Sequence, residues 1–323
     1  MTVALAFLIY LIIALSLNWE KSSGAILSIS PVEWMIILSL PLFSYCLRAI
    51  RWCGYMALLG HRVPLFQHIA VYFAGFAFTA TPGKIGETVR STYLEHHGVP
   101  YRHSLAAFFA ERLLDVITLI LLSLLFVSAF SHYQLLGGVI LVIAGVLVAV
   151  RSERLQGWFA DRFAKLSSPK LRTFGQHFID LVQAAAALLK SGPLLAGLAL
   201  GLIGWGVEGC ALHLILAGLG ADVSWPVAVG VYSLAILAGA LSFIPGGLGS
   251  TEAVMGGSLI LLGVDAGTAV AAMLICRLVT LWFAVTIGLV FVLVLEGTGS
   301  AGKGYLSEAP PSLAAGETQD TQD

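Results

Sequence analysis

The chain has 323 residues, of which 58% are hydrophobic and only 11% are charged, and its formal net charge at pH 7 is -1. Soluble domains carry about 25% charged residues, so this composition excludes an ordinary soluble domain and predicts an all-α polytopic membrane protein. The basic residues are few and are sorted by side of the membrane rather than gathered in a stripe, so we expect no nucleic-acid partner. The four cysteines lack metal-type spacing, and no nucleotide-binding, zinc-hydrolase or serine-hydrolase motif occurs, so we expect neither a metal nor a cofactor.

The apolar run over residues 3–17 predicts a first membrane helix, with a signal peptide as the alternative. No Lys or Arg precedes the run and no small-residue cleavage site follows it, which favours a retained helix. Ser30 as N-cap, Pro31 at the first helical position and Glu33 in the first turn predict a second helix that continues to about Leu59. Together with these two helices, four later apolar segments give about six predicted spans, at residues 101–130, 134–150, 193–218 and 266–295.

Two further apolar runs, residues 64–80 and 226–243, each end in a cluster of proline and glycine that breaks a helix. The breaking residues are Pro82, Gly83 and Gly86 in the first run, and Pro245, Gly246 and Gly249 in the second. The arms on either side are short for a bilayer, so we predict two re-entrant hairpins whose freed backbone is covered by protein or a watery cavity. Helix N-termini at Gly83 and Gly246 are expected to offer backbone donors to an anion.

The two halves of the sequence match at separations of 162 to 165 residues. The matched pairs are Pro64 with Pro226, Pro82 with Pro245, Gly86 with Gly249, Val99 with Val264, and Arg112 with Arg277. Because one crossing at 134–150 separates the two units, the second unit is predicted to be inverted relative to the first. Inverted repeats with broken helices are typical of secondary transporters, whose sites lie near the midplane of the membrane.

The domain organisation follows from these units. An integral membrane domain is predicted over residues 1–298, with repeats at about 32–130 and 193–295 and an amphipathic surface linker at 151–192. A disordered tail is expected at 299–323. Lys and Arg collect on the side of the linker, which the positive-inside rule assigns to the cytoplasm. We therefore expect a multi-pass protein of the cell (inner) membrane with both termini in the cytoplasm.

Ionisable residues within membrane segments are costly, and they commonly mark a functional site. The candidate substrate-binding residues are Arg48, Arg51, Lys84, Glu87, Arg90, Glu111, Arg112, Asp115, Glu208, Glu252 and Arg277. The arginines would donate charge-assisted hydrogen bonds to an anionic group, and the carboxylates would balance them in the empty site or carry a proton. The alternatives are structural: Arg48 and Arg51 could extend to the membrane interface, and Arg112 could only neutralise Glu111 or Asp115.

An ordered set of motifs resembles the flippase-like membrane domain of lysylphosphatidylglycerol synthases, over residues 3–295. The motifs are Arg48-x-x-Arg51-Trp52, the turn from Thr81 to Glu87 with Arg90, the segment Glu111-Arg112-x-x-Asp115, and the segment from Pro245 to Glu252 with Arg277. The family includes stand-alone members related to archaeal dolichol-linked glycosylation and to bacterial hopanoid loci. The resemblance implies a transporter of an anionic lipid, of the phospholipid or polyprenyl-phosphate type. No aminoacyl-transferase domain follows the last helix, so lysine transfer is not expected.

Two other functions stay open at the level of the sequence. The chain could be a membrane enzyme or enzyme subunit of lipid or glycolipid metabolism, with Glu87 or Glu111 as acid or base. It could also be a scaffold that docks a lipid-modifying partner protein through the linker. Transport is favoured over chemistry because the sequence contains no recognisable catalytic motif.

Overall fold

The computed structural model describes residues 29–81, 86–128, 134–165 and 168–297, and every regular element within these ranges is helical. The helices are α1 (Pro31–Leu58), α2 (Leu65–Ala74), α3 (Val89–Glu95), α4 (Tyr101–Ser128), α5 (Gln134–Arg151), α6 (Glu153–Ala164), α7 (Pro169–Leu188), α8 (Ser191–Gly218), α9 (Trp225–Leu241), α10 (Ser250–Leu261) and α11 (Ala266–Gly297). The predicted helix at residues 3–17, the segment 82–85 and the tail at 299–323 lie outside the described residues. The all-helical fold class is confirmed for the described part of the chain.

Helix α1 begins where the sequence predicts it. The Ser30 hydroxyl accepts the backbone N–H of Glu33 at 3.3 Å, and the Glu33 carboxylate accepts the N–H of Ser30 at 2.7 Å. Pro31 takes the first helical position, where no hydrogen-bond donor is needed. This reciprocal cap satisfies two backbone N–H groups that the first turn leaves without partners.

Three of the described helices, α1, α8 and α11, are long and apolar enough to cross a membrane. Two more of the predicted spans are also helical, α4 and α5, although α4 carries four charged residues, namely Arg102, Glu111, Arg112 and Asp115. Apolar helices of this length identify a multi-pass membrane protein. The total of six spans stays a prediction, because one span lies outside the described residues.

The helical path changes shortly before the first predicted break and at the second. Helix α2 tightens into a 3-10 turn at Gly75–Phe78, and a second 3-10 turn forms at Pro245–Gly247. Gly246 and Gly249 have φ values of 64° and 86°, which a residue with a Cβ rarely adopts. The glycines therefore allow the chain to turn between two short helices, and the re-entrant path through a membrane stays a prediction.

One expectation about the second break is wrong. The helix after it begins at Ser250 and not at Gly246, because the positive φ values of Gly246 and Gly249 place an additional turn before it. The N–H of Gly249, the N-cap, is already bound by the Glu252 carboxylate at 2.7 Å. This N–H is therefore not free to bind an anion.

Helices α1 and α8 pack antiparallel along the centre of the molecule. Ser44 donates a hydrogen bond to Glu208 at 2.7 Å, and further along α1 the Tyr55 hydroxyl lies against Gly197. Residue numbers rise along one helix as they fall along the other, which fixes the antiparallel direction. A Cβ on Gly197 would lie 2.7 Å from the Tyr55 hydroxyl, so the small residue permits the close approach.

Each broken segment packs against the opposite half of the chain. The backbone of Gly288 in α11 lies against Ala77 in the first 3-10 turn, so closely that a Cβ would meet the Ala77 nitrogen at 2.1 Å. At the second turn, a Cβ on Gly246 would lie 3.6 Å from the Ala80 Cα. The two breaks therefore meet each other inside the molecule.

The segment predicted to be an amphipathic linker contains the two helices α6 and α7. Ser152 caps α6 by accepting the N–H of Leu155 at 3.3 Å, and Pro169 opens α7. Large apolar side chains remain exposed on both helices, among them Trp158, Phe159, Phe174 and Phe178. Their location at a membrane surface stays a prediction.

Candidate functional site

A cavity of about 280 Å³ lies where the two breaks meet. Its charged lining residues come from both halves of the chain: Arg48, Glu87, Arg112, Asp115, Glu208 and Arg277. All six are among the residues that the sequence singled out. Apolar side chains form much of the remaining wall, including Val116, Leu119, Ile236, Leu241, Phe243 and Ile244. The cavity thus combines fixed charges with a hydrocarbon-like rim.

A compact ion-pair network lies on the first-half side of the cavity. Arg51 binds Asp115 at 2.6 Å and Glu111 at 3.3 Å. Arg90 binds Glu87 at 3.1 Å and Glu111 at 3.3 Å. All five side chains are buried, so each charge depends on these partners because water cannot solvate it.

Arg112 connects this network to the cavity. Its Nη2 lies 3.0 Å from Asp115, 3.4 Å from Glu111 and 3.8 Å from Glu87. Its side chain is 21% exposed, whereas the side chains of the other arginines in these ion pairs are at most 7% exposed. Arg112 is therefore the arginine of this set that an incoming group reaches most readily.

Arg48 and Glu208 form the ion pair that joins the two halves. The Glu208 carboxylate also accepts hydrogen bonds from Ser44, at 2.7 Å, and from Tyr232. The Arg48 guanidinium stacks over the Trp205 ring, 3.9 Å from its centroid. Three groups therefore hold this buried pair in one orientation.

The proposed extension of Arg48 and Arg51 to the membrane interface is excluded, because both side chains are buried and paired. They also do not bind one group together. Arg48 pairs with Glu208, whereas Arg51 pairs with Asp115 and Glu111. Of this pair of arginines, only Arg48 lines the cavity.

Arg277 holds the second break. Its Nε donates to Glu252 at 2.7 Å, and its Nη2 donates to the Gly246 carbonyl at 2.5 Å. Directly after Arg277, α11 contains a π-helical turn at Leu278–Trp282. Such turns are frequent at functional sites because they redirect side chains within a helix. Glu252 does not line the cavity, and its hydrogen bond holds the Arg277 guanidinium.

The first break is described only in part. Pro82, Gly83 and Lys84 lie outside the described residues. Gly86 donates its N–H to the Thr81 hydroxyl at 2.7 Å. Glu87 accepts a hydrogen bond from the Thr79 hydroxyl at 3.0 Å. The first two described residues after the break are therefore hydrogen-bonded to residues that precede it.

Aromatic and hydroxyl residues complete the site, and the sequence did not single them out. Tyr72 donates to Glu111 at 2.6 Å, and the Arg90 guanidinium lies over the rings of Tyr72 and Trp52, at 4.7 and 4.3 Å from their centroids. Tyr232 plays a matching part at Glu208. The only sequence signal was a tyrosine inside an apolar run, which is also what an ordinary packing residue looks like.

Two guanidinium donors at the cavity have no hydrogen-bond partner among the described residues, namely the Nε–H groups of Arg48 and Arg112. A buried donor without a partner is unfavourable, and an anion in the cavity would satisfy it. The carboxylates, by contrast, are already bound by arginines. Because the Nε atoms of Arg48 and Arg112 are themselves buried, an anion reaches them only when the guanidinium groups move toward the cavity.

Comparison with known proteins gives relatives of similar length. Identity is 24% over 309 residues to a UPF0104 membrane protein of Methanothermobacter thermautotrophicus, covering 88% of this chain and 91% of the relative. A second such protein of that organism is 24% identical over 246 residues, covering 69% and 73%. A UPF0104 membrane protein of Pyrococcus horikoshii is 25% identical over 292 residues, covering 79% and 85%.

The family described as the lysylphosphatidylglycerol synthase TM region matches residues 1–288. This range contains both breaks and every charged residue of the cavity. It also confirms the resemblance that the ordered motifs indicated. The chain therefore belongs to the family of the lysylphosphatidylglycerol synthase transmembrane region, and this membership supports a lipid-related function in a membrane.

Proposed function

We propose that the protein binds the head group of an anionic lipid in the cavity between its halves and moves that lipid across the membrane. The observation that carries the proposal is the cavity lined by Arg48, Arg112 and Arg277. A lipid phosphate that leaves water needs charge-assisted donors at the depth of the hydrocarbon, and guanidinium groups supply them in pairs. Phospholipids and polyprenyl phosphates both carry such a group.

The apolar rim supports a lipid rather than a free anion. Leu241, Phe243 and Ile244 line the cavity and are also exposed at the outer surface of the protein. A ligand held there would place its charged end among the arginines and its hydrocarbon chain across the rim. Contact with acyl chains gives these exposed apolar side chains a favourable environment.

Binding is better supported than acid or base chemistry. The two carboxylates considered for catalysis, Glu87 and Glu111, are buried and held by arginines. Glu111 does not line the cavity, and Tyr72 occupies one of its oxygens. A general acid or base must reach the reacting group, which this packing prevents for Glu111.

We further propose that the halves form an inverted repeat with two re-entrant hairpins. Arg112 contacts Glu87, and Arg277 contacts Glu252, and each pair is separated by 25 residues in the sequence. The antiparallel packing of α1 against α8 supports opposite orientations for the two units. In such transporters the site lies between the repeats, which agrees with the position of the cavity.

A transport assay tests the proposed function. The purified protein is reconstituted into liposomes with fluorescent phosphatidylglycerol, and the label in the outer leaflet is quenched chemically. Transport is expected to make nearly all of the label accessible to the quencher, and mass spectrometry is expected to find the lipid chemically unchanged. Fluorescent diacylglycerol, which has no phosphate, serves as the control probe. If the protein moved this neutral lipid, that transport would not depend on phosphate binding by the arginines.

Two results would contradict the proposal. If the accessible label stays at the level of protein-free liposomes, the protein alone does not move this lipid class. If a new lipid species appears, the enzyme alternative gains support. A polyprenyl phosphate probe in the same assay separates the two kinds of anionic lipid.

A further inference from the structure

We infer that Glu208 takes up a proton when an anionic head group binds, so that lipid and proton occupy the cavity together. The inference rests on the proposed function. In the empty site, the Glu208 carboxylate accepts a hydrogen bond from Arg48. On binding, that contact breaks, Arg48 donates to the lipid phosphate, and a proton from water on the open side bonds to Glu208. On release, the proton returns to water and the ion pair forms again.

The first argument is the balance of charge. The ion pairs of the described residues contain five arginines and five carboxylates: Arg48, Arg51, Arg90, Arg112, Arg277, Glu87, Glu111, Asp115, Glu208 and Glu252. This set is neutral when every group is ionised. A lipid phosphate would add an uncompensated negative charge to a buried site, which is strongly unfavourable. Protonation of one carboxylate restores neutrality.

The number of arginine contacts indicates which carboxylates can take up the proton. Glu111 contacts three arginines, and Asp115 and Glu87 each contact two. Glu208 and Glu252 each contact one arginine. Fewer positive neighbours leave the ionised form less stabilised, so these two carboxylates are the candidates for protonation.

The other hydrogen-bond partners distinguish Glu208 from Glu252. Glu252 accepts the backbone N–H of Gly249 and the Nε–H of Arg277, and neither donor can accept a hydrogen bond from a carboxylic acid. The other partners of Glu208 are the hydroxyls of Ser44 and Tyr232. A hydroxyl donates to a carboxylate and can rotate to accept from a carboxylic acid. A protonated Glu208 therefore has two hydroxyl partners that can accept its O–H, whereas these two partners of Glu252 can only donate.

Among the described residues, no side chain next to Glu208 accepts a proton as readily as its carboxylate does. Arg48 faces it from α1, Tyr232 from α9, and Cys276 from α11, while Tyr45 lies nearby on α1. Tyrosine and cysteine side chains ordinarily hold their protons at pH 7, and arginine remains protonated. Asp115 acts on Arg48 from the other side of the cavity and is held by its own two arginines.

Arg48 has the free donor that the exchange requires. Its Nε–H has no hydrogen-bond partner among the described residues, and Arg48 and Glu208 both line the cavity. A phosphate in the cavity is therefore next to this guanidinium when its contact with Glu208 breaks. Stacking on Trp205 keeps the guanidinium in place while its partner changes.

The test counts protons per bound lipid. Dioctanoyl phosphatidylglycerol is titrated into the purified protein in weakly buffered detergent solution, with a pH indicator dye present. Wild type is expected to take up about one proton per lipid, and its affinity is expected to fall about tenfold per pH unit where Glu208 is ionised in the empty protein. Glu208→Gln should bind the lipid without proton uptake and with little dependence on pH, because glutamine mimics the protonated acid.

Glu95→Gln is the matched control, because Glu95 is exposed and does not line the cavity, and its ratio of protons to bound lipid should stay near that of wild type. Lipid binding by wild type without proton uptake, or proton uptake that persists in Glu208→Gln, overturns the inference and leaves the proposed function intact. Absence of lipid binding in wild type contradicts the proposed function itself. Infrared difference spectra of wild type provide a second readout that needs no variant: lipid should produce the band of a protonated carboxyl group, and its absence also overturns the inference.

Discussion

Arg48 and Glu208 occupy the same position in two helices of equal length, and they form an ion pair with each other. Helices α1 and α8 each contain 28 residues, and the two ionised side chains lie 160 residues apart, as do the first residues of the helices, Pro31 and Ser191. In an inverted repeat, a contact between equivalent positions lies next to the pseudo-twofold axis. The proposed axis therefore passes between Arg48 and Glu208, beside the cavity.

The first prediction concerns the stability of this pair. Arg48→Met leaves the Glu208 carboxylate buried without its arginine, so it should lower the free energy of unfolding by about 3–5 kcal/mol. Arg48→Met combined with Glu208→Met removes both charges and should recover most of that loss. Thermal unfolding in detergent measures the effect. A double variant as unstable as Arg48→Met alone would show that the loss does not come from the uncompensated charge of Glu208.

The second prediction concerns close packing between the halves. Gly288→Ala places a Cβ 2.1 Å from the Ala77 backbone nitrogen, so it should destabilise the protein by about 1–3 kcal/mol and displace the first break. Gly206→Ala in α8 is the matched control because no atom lies within 4 Å of its Cβ. That variant should be neutral or more stable by up to about 1 kcal/mol. Equal melting temperatures for both variants would contradict the packing described here.

The third prediction concerns Phe243 at the cavity rim. Its φ is 54°, a conformation that is strained for a bulky residue, and its side chain is 70% exposed. Phe243→Gly should raise stability by about 1 kcal/mol because it relieves the strain, and it should slow lipid transport because it removes the apolar contact. Phe243→Ala removes the ring and keeps the strained backbone, so it should slow transport without raising stability. Unchanged transport in both variants would exclude Phe243 from the lipid path.

The fourth prediction concerns topology. Labelling of single cysteines in intact cells should find residues near Ser22 and Gly220 outside, and Ser167 and Ser307 inside. This pattern follows from the basic residues of the linker, which favour the cytoplasmic side. Labelling of Ser307 from outside would mean an odd number of crossings and would contradict the inverted repeat.

The sequence predicted those features that depend on neighbouring residues. Ser30, Pro31 and Glu33 specify a helix start through local hydrogen bonds, so the structure has the predicted cap. The glycines and prolines of the second break likewise interrupt the helical path. The start of α10 was misplaced at Gly246 because glycine is compatible both with a helix start and with a positive φ, and only the surrounding chain decides between them.

Contacts between residues that are distant in the sequence could not be predicted from it. The charged residues of the cavity were recognised because ionisable groups in apolar runs are conspicuous, but the pairing of Arg48 with Glu208 depends on the packing of α1 against α8. The roles of Tyr72 and Tyr232 were missed for the same reason. A single tyrosine in an apolar run gives no indication of which carboxylate it will meet.

The central claim is that the cavity arginines bind the lipid anion, and transport by Arg112 variants tests it most directly. Arg112→Lys keeps the charge but loses the planar pair of donors, so phosphatidylglycerol transport should fall about 10- to 100-fold. Arg112→Met with Asp115→Leu removes one charge of each sign from the network. Because the remaining network stays balanced, this double variant should fold as wild type does, as measured by its melting temperature.

The decisive measurement is phosphatidylglycerol transport by that Arg112→Met and Asp115→Leu double variant in liposomes, expressed per folded molecule. We expect folding to recover while transport stays at the level of protein-free liposomes, because no other arginine in the described ion pairs has a side chain as exposed as that of Arg112. Recovery of both folding and transport would contradict the account. In that case Arg112 would serve the structure alone, and the lipid anion would bind elsewhere.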